Sequence, residues 1–320
     1  MRIHRETWVL VIVLMGLLLF NQLLRAALVP SLSQPNTVKV SKSVYALIGD
    51  MDVPTPENQG FISNTTFIIT DDSVVVVDPG GSKQIGEMVI AEIRKVTDKP
   101  ISHVINTHHH ADHWMANDAF TALSPRPQIV GHAYMRTKAK EIGEQWLGII
   151  SRLTNKANIG TKVVLPDTEI VGGRQWKMGN LTLQFYHPAH AHTKGDIAIF
   201  IPEEKVLVAG DIHFYKRTPG FQDASPLGNL AALKELKKLN PKHVIPGHGP
   251  VTDINGLQYM LTYIEKLESE VSRLFKDGLE DFEMNDKIKL GDYRNMSGFS
   301  SRFGINVNRM YAEIEARDFD

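Results

Sequence analysis

The segment from Thr107 to Trp114 carries four histidines and one aspartate within the six positions His108 to His113. Neutral imidazole and carboxylate groups are common nitrogen and oxygen ligands of Zn²⁺. A short turn that presents several of them can fill most of one coordination shell, or parts of two. A solvated polar loop is the alternative for any single histidine. The pattern His-x-His-x-Asp-His directly after a strand-like run favours a metal site.

Three further residues with metal-binding side chains lie downstream: His192, Asp211 and His248. Each follows a strand-like run and lies in a segment that contains glycine. Taken singly, each is more typical of an ordinary loop residue. Active sites in layered α/β architectures favour the loops at strand ends, because a rigid strand fixes the root of the loop. This shared setting makes all three candidate ligands.

The composition limits the chemistry that the chain can perform. The 320 residues include no cysteine, and 42% of them are apolar. The absence of cysteine excludes disulfides, thiolate zinc sites and cysteine nucleophiles, so a metal must rest on His, Asp and Glu. The net charge is −1, with basic and acidic residues interspersed. This pattern argues against a nucleic-acid partner and leaves a small-molecule substrate as the expected partner.

The N-terminus has the pattern of an export segment. Arg2, His4 and Arg5 precede an apolar run from Trp8 to Phe20. A signal-peptide core typically has about 7–15 apolar residues, whereas a membrane-spanning helix needs about 20. Residues 1–29 are therefore predicted to be a signal peptide or an N-terminal membrane anchor, with a buried core helix as the alternative. Export would place the remaining chain in the periplasm, free or tethered to the inner membrane.

Patterns of hydrophobicity divide the rest of the chain into three parts. Residues 30–37 are predicted to be a linker, residues 38–253 a catalytic domain, and residues 254–320 a C-terminal helical extension. Strands are predicted at Val44 to Ile48, Thr65 to Thr70, Ser73 to Val77, Ile101 to Asn106, Leu181 to Tyr186, Ile197 to Ile201, Lys205 to Val208 and His243 to Ile245. Extended character is predicted for Lys162 to Ile170. Helices are predicted at Ile85 to Val96, Ala133 to Leu153, Leu230 to Leu239 and Leu257 to Leu274.

The four polar motifs, in order and spacing, resemble the metal-binding series of the metallo-β-lactamase-fold hydrolases. They are His-x-His-x-Asp-His from His108, His-Thr-x-Gly-Asp from His192, Asp211, and His248 within Pro-Gly-His-Gly. The resemblance covers roughly residues 38–253. It implies an α+β fold, the four-layer αββα metallo-β-lactamase sandwich, with metals at one edge between two sheets. The helical segment after residue 253 is then an appended part.

The resemblance also implies a ligand set. One metal would be held by His108, His110 and His192, and a second by Asp112, His113 and His248. Asp211 would bridge the two, as in the glyoxalase II-like branch, where some β-lactamase branches have cysteine or serine. Two Zn²⁺ per chain would share an activated water that Asp112 orients, and the reaction would be hydrolysis of an ester, thioester, lactone or amide in a small substrate.

The remaining histidines and two aspartates have other expected roles. His109 occupies the variable position of the first motif and is expected to point away. His190 competes with His192, but only His192 matches the family motif, while His213 is expected to line the pocket without binding metal. Asp78 and Asp196 are predicted to accept hydrogen bonds from metal-binding imidazoles, with ordinary turn residues as the alternative.

Few residues indicate the substrate. Lys216 and Arg217 are candidate contacts for a substrate carboxylate, although exposed loop cations usually have no such role. The segment Asp50 to Gly60 is predicted to be either a flap over the metals or an inert loop. Trp114 and Trp146 are interpreted as packing residues.

Three alternatives to a general dizinc hydrolase remain. A β-lactamase on the same fold suits an exported protein. A mononuclear iron oxygenase resembling the persulfide dioxygenases would use His108, His192 and Asp211. A metal-dependent binding protein without catalysis is the third. The complete second ligand set favours catalysis with zinc over iron.

Overall fold

The computed structural model describes residues 35–318, which lie in one compact unit that begins at Pro35. The predicted export segment, residues 1–29, lies outside the described residues, as does most of the predicted linker. The first strand begins at Asn36, so the folded part starts slightly before the predicted residue 38. In the described part of the chain, no helix is both long and apolar enough to cross a membrane.

Seven strands form the first sheet, in the order β1-β2-β3-β4-β5-β6-β7. Their bounds are β1 Asn36–Lys39, β2 Val44–Ile48, β3 Thr65–Ile69, β4 Val74–Val77, β5 Ile101–Asn106, β6 Gln128–Gly131 and β7 Thr168–Glu169. Pairing is antiparallel from β1 to β4 and parallel from β4 to β7. Parallel neighbours need a long crossover connection, and the predicted helix between β4 and β5 supplies one.

Five strands form the second sheet, in the order β12-β11-β10-β9-β8. Their bounds are β8 Gln175–Met178, β9 Leu181–Tyr186, β10 Ala198–Ile201, β11 Val206–Phe214 and β12 His243–His248. Only β11 and β12 pair in parallel. β11 extends well past Val208, where the sequence predicts its end, and its register against β12 shifts between Val208 and Gly210 and again before Phe214. Such irregularities re-aim side chains and are common beside active sites.

Helices cover the outer faces of both sheets. Their bounds are α1 Lys83–Arg94, α2 Ala111–Trp114, α3 Asn117–Phe120, α4 Ala133–Leu153, α5 Pro226–Lys238, α6 Ile254–Lys276 and α7 Phe299–Asp318. α1 begins after Ser82, whose hydroxyl accepts a hydrogen bond from the backbone of Ile85, as expected for an N-cap. Every residue of β4 and of β11 is buried, which requires cover on both faces of each sheet.

The layers are held together by separate hydrophobic clusters. One lies between the sheets and joins residues such as Val75 and Ile105 of the first sheet to Ile199 and Ile245 of the second. Another joins β10 to β12 with α5, α6 and α7. The predicted C-terminal helical segment therefore shares a core with the second sheet. The architecture is the expected αββα sandwich.

Candidate metal centre

The candidate ligands meet where loops and strand ends of both sheets converge. His108 to His113 connect β5 to the first turn of α2, His192 follows β9, and Asp211 and His248 lie in β11 and β12. Trp114 fixes the first motif, because its indole N–H donates a 2.8 Å hydrogen bond to the backbone oxygen of His109. Sequence placed Asp211 in a loop, whereas it lies inside the bulged part of β11.

Three imidazoles form the first group of converging ligand atoms. His110 Nδ1 lies 3.1 Å from His108 Nε2 and 2.8 Å from His192 Nε2. Asp211 Oδ2 lies 3.3 Å from His192 Nε2 and 3.7 Å from His108 Nε2. These four residues are all buried, and their ligand atoms lie within 4.8 Å of one another.

Asp112, His113 and His248 form the second group. Asp112 Oδ2 lies 3.5 Å from His113 Nε2 and 3.4 Å from His248 Nε2, and the two Nε2 atoms are 3.4 Å apart. Asp211 belongs to this group as well, because its Oδ1 lies 3.2 Å from His113 Nε2 and its Oδ2 lies 3.3 Å from His248 Nε2. The structure thus brings together all seven residues of the predicted set, with the Asp211 carboxylate between the groups.

The protonation of these residues suits divalent cations. Burial lowers the pKa of His192 to about 3 and, together with the charge of His113, lowers that of His108 well below its ordinary value. Both are therefore neutral at pH 7, the form that binds metal. Burial also lowers the pKa of His113, but the carboxylates of Asp211, Asp112 and Asp78 raise it well above the ordinary value. The carboxylates around the His113 imidazole therefore favour a positive charge there.

Hydrogen bonding within the groups also fits a metal centre. Asp211 Oδ1 is buried and makes no hydrogen bond to the described residues 35–318. His110 Nδ1 lies about 3 Å from both His108 Nε2 and His192 Nε2, and its single lone pair cannot accept a hydrogen bond from both. Cations at these positions would satisfy the lone pairs. The residues present therefore fit a pair of divalent cations.

Hydrogen bonds on the far side of the rings hold the imidazoles in place. As predicted, Asp78 contacts a candidate ligand: its Oδ2 lies 2.9 Å from His113 Nδ1. It also accepts hydrogen bonds from the backbone N–H and hydroxyl of Thr107, at 2.8 and 2.7 Å. His248 Nδ1 lies 2.7 Å from the backbone oxygen of Ile62. These contacts select the tautomer that directs Nε2 of each ring inward.

Asp196 has a different role from the one predicted. Its carboxylate accepts hydrogen bonds from the backbone N–H and hydroxyl of Thr193, at 2.8 and 2.6 Å, and it contacts no imidazole nitrogen among the hydrogen bonds of the described chain. Burial raises its pKa to about 7. Asp196 therefore stabilises the loop that carries His192 instead of orienting a ring.

Asp223, which the sequence analysis missed, orients His110. Its Oδ2 lies 3.0 Å from His110 Nε2, and this hydrogen bond is the main reason that its pKa falls to about 2. His190 binds elsewhere, because its Nε2 contacts the backbone oxygen of Asp223 at 2.9 Å. His109 belongs to neither ligand group and lies 4.0 Å from Asp223. No motif around Asp223 marks it, since only the fold brings it to the first motif.

A cavity of about 200 Å³ opens beside the two groups. Its lining includes Asp112, Arg217 and Arg302, and Pro54 from the segment predicted to be a flap or loop. Trp146 packs against a hydrophobic cluster, as predicted, and also lines the cavity. His213 is buried and, contrary to expectation, is not among the lining residues; its ring stacks against Tyr215.

The two predicted substrate contacts differ in position. Lys216 is exposed and is not among the lining residues of this cavity, so nothing in the structure supports it as a substrate contact. Arg217 is buried in the lining, and its guanidinium donates hydrogen bonds to the backbone oxygens of Ile62 and Asp52, at 3.3 and 3.1 Å. Its guanidinium also contacts His248. Arg217 therefore fixes the wall of the cavity next to a candidate ligand.

Comparison with known proteins agrees with this architecture. A metallo-β-lactamase type 2 of Bacillus sp. (strain 170) is 26% identical over 219 residues, which cover 63% of this chain and 73% of that protein. A linear primary-alkylsulfatase of Pseudomonas sp. is 23% identical over 262 residues, covering 70% of this chain and 49% of that protein. A probable metallo-hydrolase of Streptococcus pyogenes is 27% identical over 202 residues, which cover 60% of this chain and 81% of that protein.

The fold and the family are shown by two further findings. The structure of a metallo-beta-lactamase from Pontibacter korlensis superposes with a TM-score of 0.59 at 20% identity, covering 72% of this chain and 99% of that one. The family model for the metallo-beta-lactamase superfamily matches residues 58–248. That range includes all seven candidate ligands and more than half of the chain, so the protein belongs to the metallo-beta-lactamase superfamily.

Proposed function

We propose that the protein is a dinuclear zinc hydrolase that cleaves an ester, thioester, lactone or amide bond in a small substrate. The observation that carries this proposal is the convergence of seven imidazole and carboxylate groups, six of them buried and Asp112 partly exposed, beside an open cavity. His108, His110 and His192 would hold one cation, and Asp112, His113 and His248 the other, with Asp211 shared. Membership of a superfamily with metallo-hydrolase relatives supports the same reaction class.

Two bound zinc ions would supply Lewis-acid polarisation of the scissile group and an activated water at neutral pH. The protein supplies the rest. Asp112 is the most accessible carboxylate of the set, with a side chain 19% exposed, and it lines the cavity. It can therefore orient the attacking water and accept its proton. Asp78 and Asp223 keep their imidazoles in fixed tautomers, so little reorganisation accompanies the reaction.

The location and the substrate class complete the proposal. The charged and apolar pattern of residues 1–29 supports export to the periplasm. The cavity volume of about 200 Å³ supports a small substrate. β-Lactamase activity is the second candidate, because a metallo-β-lactamase type 2 is among the relatives and the Pontibacter korlensis protein shares the fold. A metal-site carboxylate at Asp211 instead of cysteine supports the general hydrolase.

Metal quantification with a substrate panel tests the proposal. Purified protein should contain two zinc ions per chain and should hydrolyse at least one of a lactone, a thioester and an ester. Nitrocefin separates the β-lactamase candidate, and a phosphodiester is included because dinuclear sites also cleave phosphate esters. His110→Ala and Asp112→Ala should abolish metal loading or turnover, with Lys216→Ala as the matched control. One iron per chain without zinc would instead support the oxygenase, and full activity of the His110→Ala, Asp112→Ala double variant would refute the metal mechanism.

A further inference from the structure

The last helix of the described chain reaches the candidate active site. Arg302 lies in the first turns of α7, and its side chain lines the same cavity as Asp112 and Asp211. The family model ends at residue 248. Arg302 is therefore a feature of the cavity that the family match does not supply.

The guanidinium of Arg302 has no partner in the described part of the chain. Its Nη1 atom is buried without a hydrogen bond, and its side chain forms neither a hydrogen bond nor an ion pair with residues 35–318. Arg217, the other cation in the lining, differs because it donates to two backbone oxygens. An unpaired cation that is partly removed from water is unfavourable. Arg302 thus keeps N–H donors other than the buried Nη1 for a partner that comes from outside the chain.

Electrostatics indicate that this partner is an anion. Burial lowers the pKa of Arg302, and the nearby carboxylates of Asp112, Asp211 and Asp52 oppose that shift by favouring the charged form. Asp112 and Asp211 are candidate metal ligands, so bound divalent cations would offset their charges. Arg217 lines the same cavity and adds a second positive charge near Arg302: burial and, after it, the charge of Arg302 lower the pKa of Arg217 to about 10, so that Arg217 is still charged at pH 7. With cations bound, the cavity favours an anionic group.

The backbone before α7 is shaped to hold this side chain. Gly298 has φ +69°, and a Cβ at this position would lie 1.8 Å from Arg302 Nη1. The guanidinium therefore occupies the space that any other side chain would need. The preceding Ser297 is tied to the active-site wall, because its backbone oxygen accepts a 2.9 Å hydrogen bond from Thr218 and its hydroxyl donates to Met51.

Apolar side chains occupy another part of the cavity lining. Helix α4 supplies Trp146, Ile150 and Leu153. We propose that Arg302 binds the anionic group of the substrate, a carboxylate or a sulfate, while the apolar part of the substrate packs against α4. This inference rests on the proposed function for the identity of the cavity as an active site. It adds that the preferred substrate carries an anionic group and an apolar part, and that α7 selects it.

Binding of small probes to the zinc-loaded protein tests the proposal. Hexanoate, hexyl sulfate and the uncharged hexanamide are titrated by calorimetry. Hexanoate or hexyl sulfate should bind at least about tenfold more tightly than hexanamide, because a hydrogen bond to a charged group is much stronger than one between neutral groups. The tighter of the two anions identifies the oxyanion that the cavity prefers. Equal binding of hexanamide would overturn the proposal.

Variants of α7 assign the selectivity to Arg302. Arg302→Gln should weaken anion binding about 10- to 100-fold and leave hexanamide unchanged. Arg302→Lys should restore only part of the loss, since it keeps the charge but not the two-pronged geometry. Gly298→Ala should weaken anion binding by displacing the guanidinium. Arg317→Gln is the matched control, because it removes the same charge from an exposed position of α7.

The outcomes separate this inference from the proposed function. If Arg302→Gln binds both anions as tightly as the unaltered protein does, Arg302 does not bind the anionic group. The proposal that the metal centre catalyses hydrolysis would still stand. If the unaltered protein cleaves no substrate but loses anion selectivity on Arg302→Gln, the hydrolase proposal fails and the anion site stands. For any substrate that is cleaved, Arg302→Gln should raise KM for the anionic form and not for its neutral amide or ester.

Discussion

Replacing Asp78 by Asn should weaken the binding of one metal ion and leave the binding of the other unchanged. Asp78 Oδ2 accepts hydrogen bonds from both Thr107 Oγ1 and His113 Nδ1. An Asn side chain has one acceptor oxygen, so either the imidazole or the Thr107 backbone N–H must face its NH₂ group. When the imidazole of His113 faces the NH₂ group, its Nδ1 must accept a hydrogen bond, and the tautomer with a proton on Nε2 is favoured. The Nε2 lone pair is then no longer available to bind the metal.

The size of the effect follows from the burial of this contact. The side chain of Asp78 is 3% exposed and lies 2.9 Å from His113, so water cannot replace the lost acceptor. A hydrogen bond to a charged group contributes about 1.5–3 kcal/mol, which corresponds to a roughly 10- to 150-fold loss of affinity. Asp78 has φ 52°, a conformation that Asn also adopts readily. The backbone should therefore persist in the variant.

Competition with a chromophoric chelator measures the affinity of the protein for each of the two zinc ions in turn. The Asp78→Asn protein should lose the ion held by Asp112, His113 and His248 about 10- to 150-fold more easily and retain the other. Thermal unfolding of the metal-free proteins reports any general loss of stability. Two zinc affinities within twofold of those of the unaltered protein would show that Asp78 does not control the His113 tautomer.

Asp223→Asn is the matched comparison, because it alters a contact of nearly the same length to the other group. The Asp223 side chain is 52% exposed and lies 3.0 Å from His110 Nε2. Water can replace much of this hydrogen bond, so the affinity for the first ion should fall less than tenfold. If Asp223→Asn lowers zinc affinity more than Asp78→Asn does, burial does not determine the strength of these hydrogen bonds.

Three further predictions follow from the same geometry. Gly247→Ala should weaken the binding of both metal ions, because a Cβ there would lie 1.9 Å from Asp211 Oδ1. Two tightly bound zinc ions in this variant would contradict the shared role of Asp211. Removing metal with a chelator should lower the melting temperature, since ligands that bind only the folded state stabilise it; an unchanged melting curve would count against a preformed site. Lys216→Gln should leave KM unchanged within about twofold, as expected for an exposed surface residue, whereas Arg217→Gln should alter metal affinity through His248.

The sequence predicted the fold, and the residues that converge at the candidate metal centre, where the signal was local. β5, β9 and α4 lie where the sequence predicts them; burial alternates along β9, and the buried residues of α4 recur at helical spacing. The seven candidate ligands follow from motifs that are each contained in a short loop or strand end. Their assignment as ligands is still a prediction, although the structure brings their atoms together.

Features that depend on distant contacts escaped the sequence analysis. β11 continues through Asp211 because β12 pairs with it across a bulge, and nothing local marks that pairing. Asp223 reaches His110 across a separation of 113 residues. Asp196 has the expected type and position beside His192, but the fold directs its carboxylate to the backbone and hydroxyl of Thr193. Residue type and spacing therefore identify which groups can bind metal, and tertiary structure decides which groups orient them.

The candidate metal ligands and the proposed anion site lie in different segments of the chain. All seven candidate ligands lie within the family match at residues 58–248, whereas Arg302 lies in α7, beyond it. A change at Arg302 should therefore alter which substrates bind while the zinc content stays at two ions per chain. Metal analysis of Arg302→Gln checks this separation directly. A loss of zinc in that variant would mean that α7 supports the metal centre itself, and the weaker anion binding would then have to be attributed to the missing cations.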